Sequence, residues 1–357
     1  MFYPASYLTR VWMGTSMTAK FLPSAIRPLA AHIKFTENCQ AKCISCDYWK
    51  SRWEDGITTD RAVQLLNEFA DAGIRSLRLT GGEPLLRRDL FQILSRANSS
   101  RFKRIILQTN GLLIKKLHKE INDSPISDIC VSVDGMKETN DRIRGIDGYF
   151  DLAFEGVKLL RNKQVMFAVT LNGLSASELE KLAEAAHAVG AGVQHNILSR
   201  SLYFIKGADL SAMWPETQEV ADITRFARDT LKRPAYEVDY IRRYYGHEPL
   251  EEPPCVLGYL QMFVLSNGDV MTGCYSLKPV GNILRDSLET VLASEAYAKQ
   301  CEAMVRRECP GCTCGIESSL AMKHAASSAL FELKQLWHGP AGRRAPSDAP
   351  AHSETAA

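Results

Sequence analysis

No apolar run in this 357-residue chain approaches the length of a bilayer-spanning helix, so no membrane span is expected. The first thirty residues scatter Arg10, Lys20 and Arg27 among short apolar patches, with no continuous apolar core or small-residue cleavage site. They do not read as a secretion signal. A surplus of charge is missing too. Forty-three basic and 41 acidic side chains leave a formal charge of +2, which gives no electrostatic case for nucleic acid as the main partner. No internal repeat is visible, which sets repeat architectures aside. With 45% hydrophobic and 24% charged residues, the chain reads as a soluble, cytoplasmic globular protein. Its length allows a large core and a second, smaller unit.

Cysteine, by contrast, is plentiful and unevenly placed. Of ten, three lie at 39–46, Cys130 stands alone, and six fall between 255 and 314. A reducing compartment disfavours disulfides, so clustered thiols point to metal binding or redox chemistry. The stretch "NCQAKCISCDYWK" (38–50) puts Cys39, Cys43 and Cys46 within eight positions. Zinc sites favour paired C-x2-C knuckles and four ligands, whereas this motif supplies three thiols and no local fourth. Thiolates are also the standard ligands of iron–sulfur clusters.

From about residue 31 short strand-like and longer helix-like segments alternate. The strand candidates are 32–36, 75–80, 104–109, 128–134, 166–172 and 193–199. Between them, stretches such as "DRAVQLLNEFADAG" and "SELEKLAEAAHAVG" place apolar residues three and four apart and end on glycine. The expected fold is α/β: a partial (β/α)6 barrel of parallel strands, followed by a small cysteine-rich α+β extension. The expected division is an N-terminal extension (1–30), the barrel (31–235), a connector (236–254), the cysteine-rich region (255–320), and a C-terminal helix and disordered tail (321–357).

Strand side chains alternate between two faces, and here the two sets differ. One is aliphatic or aromatic: Ile33 and Phe35, Leu77 and Leu79, Ile105 and Leu107, Val131 and Val133, Phe167, Val169 and Leu171. The other is polar: His32, Lys34 and Thr36, Ser76, Arg78 and Thr80, Gln108 and Asn110, Ser132 and Asp134, Thr170 and Asn172. A closed eight-stranded barrel fills its interior with branched aliphatics. A polar interior suggests an open barrel around a polar ligand.

Four loops of distinctive chemistry follow the first four strands: the cysteine triplet, "GGEP" (81–84), "TNG" (109–111) and "SVDG" (132–135). Parallel strands bring such loops to one rim. In this combination, over roughly residues 31–200, the chain resembles the radical S-adenosylmethionine (SAM) enzymes. The resemblance implies a [4Fe–4S] cluster on Cys39, Cys43 and Cys46, with one iron left for the amino and carboxylate groups of SAM. It implies reductive cleavage to a 5′-deoxyadenosyl radical that takes a substrate hydrogen. An electron donor of the flavodoxin or ferredoxin type is implied as a partner.

The same resemblance assigns roles. Gly81, Gly82 and Glu83 would bind the SAM amino group, and Ser132 and Asp134 its ribose or methionine moiety. Asn110 lies on the same rim. Arg144 would pair with the SAM carboxylate; the alternative is a solvated loop charge. For Thr109 and Asn110 the alternative is ordinary turn chemistry. The family commonly has an aromatic residue before the third cysteine, where this chain has Ser45. Tyr48 and Trp49 would then take over adenine packing.

Beyond "EEPP" (251–254), "FVLSNGDVMTGC" reads as a hairpin turning at Asn267-Gly268, and "CPGCTC" follows. The region resembles the SPASM/twitch extension of radical SAM enzymes. That implies a second [4Fe–4S] cluster on Cys255, Cys274, Cys309 and Cys312, with Cys314 an alternative to Cys312. Cys301 reads as a plain helix residue. The spacing from Gly268 to Cys274 is one residue longer than usual and no cysteine follows Cys314, so the single-cluster twitch arrangement fits better. A structural zinc knuckle is the competing reading.

Cys130 shares a strand face with Ser132 and Asp134, so it is a candidate hydrogen donor; buried cysteine is also a common small hydrophobe. His195 and Asn196 read as substrate-facing or as core polar residues. Three functions follow: oxidation or rearrangement of a small metabolite, peptide maturation by crosslinking or epimerisation, or a non-catalytic iron–sulfur or zinc protein. Many peptide-maturing relatives carry an N-terminal leader-binding domain. Thirty residues before the first strand are short for one, which favours the small metabolite.

Overall fold

The computed structural model describes residues 28–50, 55–174, 176–198, 210–250, 254–309, 320 and 324. The N-terminal extension, Cys312, Cys314 and the C-terminal tail fall wholly or almost wholly outside these residues.

Six parallel strands form the barrel: β1 (Ala30–Thr36), β2 (Ser76–Gly81), β3 (Arg104–Thr109), β4 (Asp128–Ser132), β5 (Gln164–Leu171) and β6 (Gly192–Ile197). The helices between them are α1 (Thr59–Asp71), α2 (Leu90–Arg96), α3 (Ile114–Asp123), α4 (Lys137–Arg144), α5 (Tyr149–Val157) and α6 (Ala176–Ala188). α1 shows the local logic. The Thr58 side chain accepts from the Arg61 N–H, satisfying an orphan donor of the first turn. Ala62, Leu65, Leu66, Phe69 and Ala70 face the sheet, and Gly73 at φ +84° turns the chain away. Two further helices, α7 (Thr217–Asp229) and α8 (Ala235–Tyr245), follow the sixth strand.

α9 (Leu257–Leu260) then leads into β7 (Gln261–Val264), β8 (Asp269–Met271) and β9 (Gly281–Asn282), followed by α10 (Leu288–Leu292) and α11 (Glu295–Val305). The sheet order is β6-β5-β4-β3-β2-β1-β7-β8-β9. β7 lies parallel to β1, pairing Ala30 with Gln261 and Ile33 with Val264. The cysteine-rich region therefore continues the barrel's sheet from its first strand. Its hairpin turns at Asn267-Gly268, where Gly268 has φ +87° and the Asp269 N–H bonds Asn267 Oδ1 at 3.1 Å.

The two strand faces separate as their chemistry requires. Ile33, Phe35, Leu77, Leu79, Leu107, Val131, Val133, Phe167, Val169 and Leu171 are fully buried in the main core beneath the helices. On the lumen side His32, Lys34, Arg78, Asn110, Asp134 and Asn172 are buried as well. That side is not uniformly polar, because Ile106, Cys130 and Ala168 form a small apolar patch of their own. On β6 the register settles the ambiguous strand. Asn196 pairs with Thr170 on the lumen face and His195 with Val169 on the helix face.

Candidate functional site

The cysteine loop leaves β1 and is held by backbone bonds from two directions. Lys42 N donates to Arg144 O (3.1 Å) and Ile44 N to Ile143 O (3.0 Å), fastening the loop to the last carbonyls of α4. From the other side Gly82 N donates to Thr36 O (3.0 Å) and Glu83 N to Asn38 O (2.8 Å). The glycines of "GGEP" are required by this contact. A Cβ on Gly81, itself at φ +142°, would lie 2.0 Å from Thr36 O, and one on Gly82 would lie 2.3 Å from Asn38 O. Only glycine admits so close an approach.

Glu83 is fully buried. Its carboxylate accepts from Asn110 N (2.7 Å), Leu85 N (3.0 Å) and the Thr109 hydroxyl (2.8 Å). Burial pushes its pKa up to about 7 against those bonds, which favour the anion. Thr109 and Asn110 thus serve Glu83 and turn the chain too, since Gly111 N bonds Thr109 Oγ1 (3.0 Å) and Leu112 N bonds Asn110 Oδ1 (3.0 Å).

Asp134 and Arg144 meet. Arg144 Nη2 lies 2.6 Å from Asp134 Oδ2, while Asp134 Oδ1 accepts from Thr170 N at 2.8 Å. Arg144 is therefore a buried partner and not a solvated loop charge. Its Nη1 also stands 3.8 Å from Cys43 Sγ, and Asn110 Nδ2 stands 3.7 Å from Cys39 Sγ. Two N–H donors thus face two of the three loop thiols. Ser132, half-buried at the end of β4, offers its carbonyl to the Tyr149 hydroxyl at 3.1 Å.

The aromatic pair after the triplet behaves asymmetrically. Tyr48 turns inward, where its hydroxyl accepts from Lys34 Nζ; Trp49 stays partly open and its indole N–H bonds Cys43 O at 3.2 Å. Lys34 Nζ lies 4.4 Å from the ring centroids of both Tyr48 and Tyr275. Sequence reasoning placed Lys34 in the lumen but did not find this bridge from the cysteine loop to the cysteine-rich region. It depends on the β1–β7 pairing, and no motif announces that.

In the second cysteine region Cys255 and Cys274 pack in one small cluster with Leu257 and Met304. Cys301 is buried on α11, and Cys309 follows that helix half-buried. Cys130 sits buried on the lumen face, with Gln194 Nε2 3.1 Å from its sulfur, and burial raises its pKa.

Comparison with known families places the radical SAM superfamily domain over residues 33–186 and an iron–sulfur cluster-binding SPASM domain over 255–314. Residues 33–186 are a radical SAM superfamily domain, joined to a SPASM domain at 255–314. The AdoMet-dependent heme synthase of Methanosarcina barkeri is 32% identical over 168 residues, 45% of this chain and 48% of that protein. A probable GTP 3′,8-cyclase of Archaeoglobus fulgidus is 29% identical over 178 residues, 46% of this chain and 57% of that one. The chain spans about half the length of the curated relatives it matches. Among solved structures, Streptococcus suis SuiB bound to S-adenosylmethionine superposes with a TM-score of 0.60 at 17% identity, over 83% of this chain and 79% of that one. Native anSMEcpe with bound AdoMet gives 0.56 at 17%, over 87% and 98%. At these identities the solved structures speak for the fold, a partial barrel with a C-terminal SPASM region.

The two domains imply SAM and iron–sulfur chemistry, and the donor set of the first loop fits it. Cys39, Cys43 and Cys46 are undisulfided thiols on one loop. Among the described residues no three His, Cys, Asp or Glu side chains close round a single ion; a cubane is wider than an ion and takes its thiolates further apart. Burial pushes the Cys39 pKa up to about 12 and raises that of Cys46. The positive charge of a bound metal would favour their thiolate forms. No helix among the described residues is long and apolar enough to cross a membrane.

Proposed function

We propose that the chain is an enzyme that uses SAM to oxidise or rearrange a small metabolite. The carrying observation is the convergence of the three loop thiols, the "GGEP" backbone, Asn110 and the Asp134–Arg144 pair on one rim. Cys39, Cys43 and Cys46 would hold a [4Fe–4S] cluster, which when bound would supply the electron for reductive cleavage of SAM. The chain's own residues prepare the place. Arg144 and Asn110 direct N–H groups at the thiols, and Gly81 and Gly82 keep the second loop flush against the first. Glu83 holds the rim together through Thr109 and Asn110, and Ser132 lies beside it.

A second [4Fe–4S] cluster on Cys255, Cys274, Cys309 and Cys312 belongs to this reading, supported by the common burial of Cys255 and Cys274 and by the match of the SPASM domain. It would accept an electron from the substrate radical or anchor the substrate. The second reading is peptide maturation. SuiB is solved with its precursor peptide SuiA and anSMEcpe with a peptide, although likeness to them speaks for the fold alone. A non-catalytic iron–sulfur protein is distinguished by failing to cleave SAM under strong reduction.

The test is iron and sulfide per chain after anaerobic reconstitution of a variant with Cys39, Cys43 and Cys46 all changed to alanine. About four irons should remain, and SAM cleavage should be lost. Loss of all iron, or its replacement by zinc, removes the second cluster from the proposal. Full SAM cleavage by the variant overturns the reading itself.

A further inference from the structure

We propose that Arg78, deep in the barrel lumen, binds an anionic group of the substrate, a carboxylate or a phosphate. The inference rests on the enzymatic reading above and deepens it.

Arg78 lies on β2 in register with His32 of β1 and Ile106 of β3. It is 6% exposed. Its Nη1 donates to Gln108 Oε1 at 3.0 Å, and its Nε is buried with no hydrogen-bond partner. Among the described residues no carboxylate pairs with it. Other largely buried arginines among the described residues are paired: Arg87 with Asp89, Arg144 with Asp134 and Arg233 with Glu237. A guanidinium taken out of water with only neutral partners is costly unless an anion joins it. Its planar fork suits carboxylate and phosphate oxygens.

The surroundings agree. Burial, and then the charge of Arg78, hold the neighbouring His32 imidazole in its neutral form, with a pKa well below the usual range. Lys34, two residues further along β1 on the same face, brings a second cation. The Gln194 amide, which donates to Cys130, is a further neutral donor on this face. Beside these polar groups the patch of Ile106, Cys130 and Ala168 offers an apolar surface. Four residues separate Arg78 from Gly82, roughly 13 Å along an extended strand. An anion on Arg78 would hold the substrate's tail at depth and leave its other end under the cysteine rim.

The experiment is a set of thermal melts of the anaerobically reconstituted full chain, titrated with inorganic phosphate or with acetate in a constant-ionic-strength chloride background. The midpoint of the parent protein should rise with one of the two anions. A response to phosphate assigns a phosphorylated substrate, and a response to acetate alone assigns a carboxylate. Arg78→Gln should weaken the apparent affinity for that anion by at least about tenfold, the scale of losing a charge-assisted hydrogen bond. The exposed Arg88→Gln should keep it. If Arg78→Gln fails to fold, Arg78→Lys, which keeps the charge but loses the fork, should show an intermediate response. No response from the parent protein to either anion, or an undiminished response in Arg78→Gln, overturns the proposal. 5′-Deoxyadenosine formation by the parent is measured separately, so absence of SAM cleavage with an intact anion response sinks the enzymatic reading and leaves the site.

Discussion

Arg144 closes on Asp134 across the end of the fourth strand, Nη2 to Oδ2 at 2.6 Å, with side chains 14% and 3% exposed. The same guanidinium faces Cys43 Sγ, and its residue's carbonyl receives the Lys42 N–H. One side chain therefore ties the strand end to the cysteine loop. Breaking a buried pair by removing one partner strands the other's charge. Asp134→Asn should lower unfolding free energy by about 3–5 kcal/mol, read from chemical denaturation. The double variant Asp134→Asn/Arg144→Gln should recover part of that loss. A neutral Asp134→Asn would show that the pair contributes nothing.

The glycine contact predicts a defect in cluster loading. Gly82→Ala forces a Cβ against the Asn38 carbonyl, and Gly81→Ala forces one against Thr36 while imposing strain at positive φ. Both should reduce iron bound per chain after reconstitution more than they disturb the far-ultraviolet circular dichroism. Normal iron content in both variants would put the backbone contact outside cluster assembly.

The buried Glu83 predicts a pH dependence of stability. Its folded pKa of about 7 exceeds the ordinary 4.5, so between those values the folded chain keeps a proton that the unfolded chain has lost. Stability from this group is complete below about 4.5 and falls as pH rises through 7. Glu83→Gln should flatten the midpoint-versus-pH curve across that window. Lys34, lowered to about 8 by burial, behaves oppositely. Its penalty is relieved as pH rises from about 8 to 10.5, and Lys34→Met should flatten that limb instead. Unchanged slopes in either variant would remove that residue from the account.

Asn110 predicts a spectroscopic effect. An N–H directed at a ligating sulfur stabilises the more negative, reduced state of a cluster. Asn110→Ala should lower the reduction potential of the first cluster, read by anaerobic redox titration with electron paramagnetic resonance. An unaltered potential would leave Asn110 as a turn residue that serves Glu83.

Much of this was legible because the governing signals are local. Alternation along a strand, three- and four-residue spacing along a helix, and glycine at a turn each act within one or two turns of chain. The six barrel strands and the Asn267-Gly268 hairpin follow from them. "GGEP" was legible as a motif, but the immediate structural need for its glycines was not. That need comes from the carbonyls of Thr36 and Asn38, more than forty residues earlier in the chain.

By itself the sequence determined the parallel order of strand and helix, the two chemically distinct strand faces, and the gathering of the cysteine, GGEP, TNG and SVDG loops on one rim. The tertiary structure decided the rest. It joined β7 to β1, paired Arg144 with Asp134 beside Cys43, bridged Lys34 between Tyr48 and Tyr275, and left Arg78 without a carboxylate among the described residues. Each of these depends on which distant segments share a sheet edge or a buried volume. Burial then sets the energetic weight of a charge, and no spacing rule encodes it.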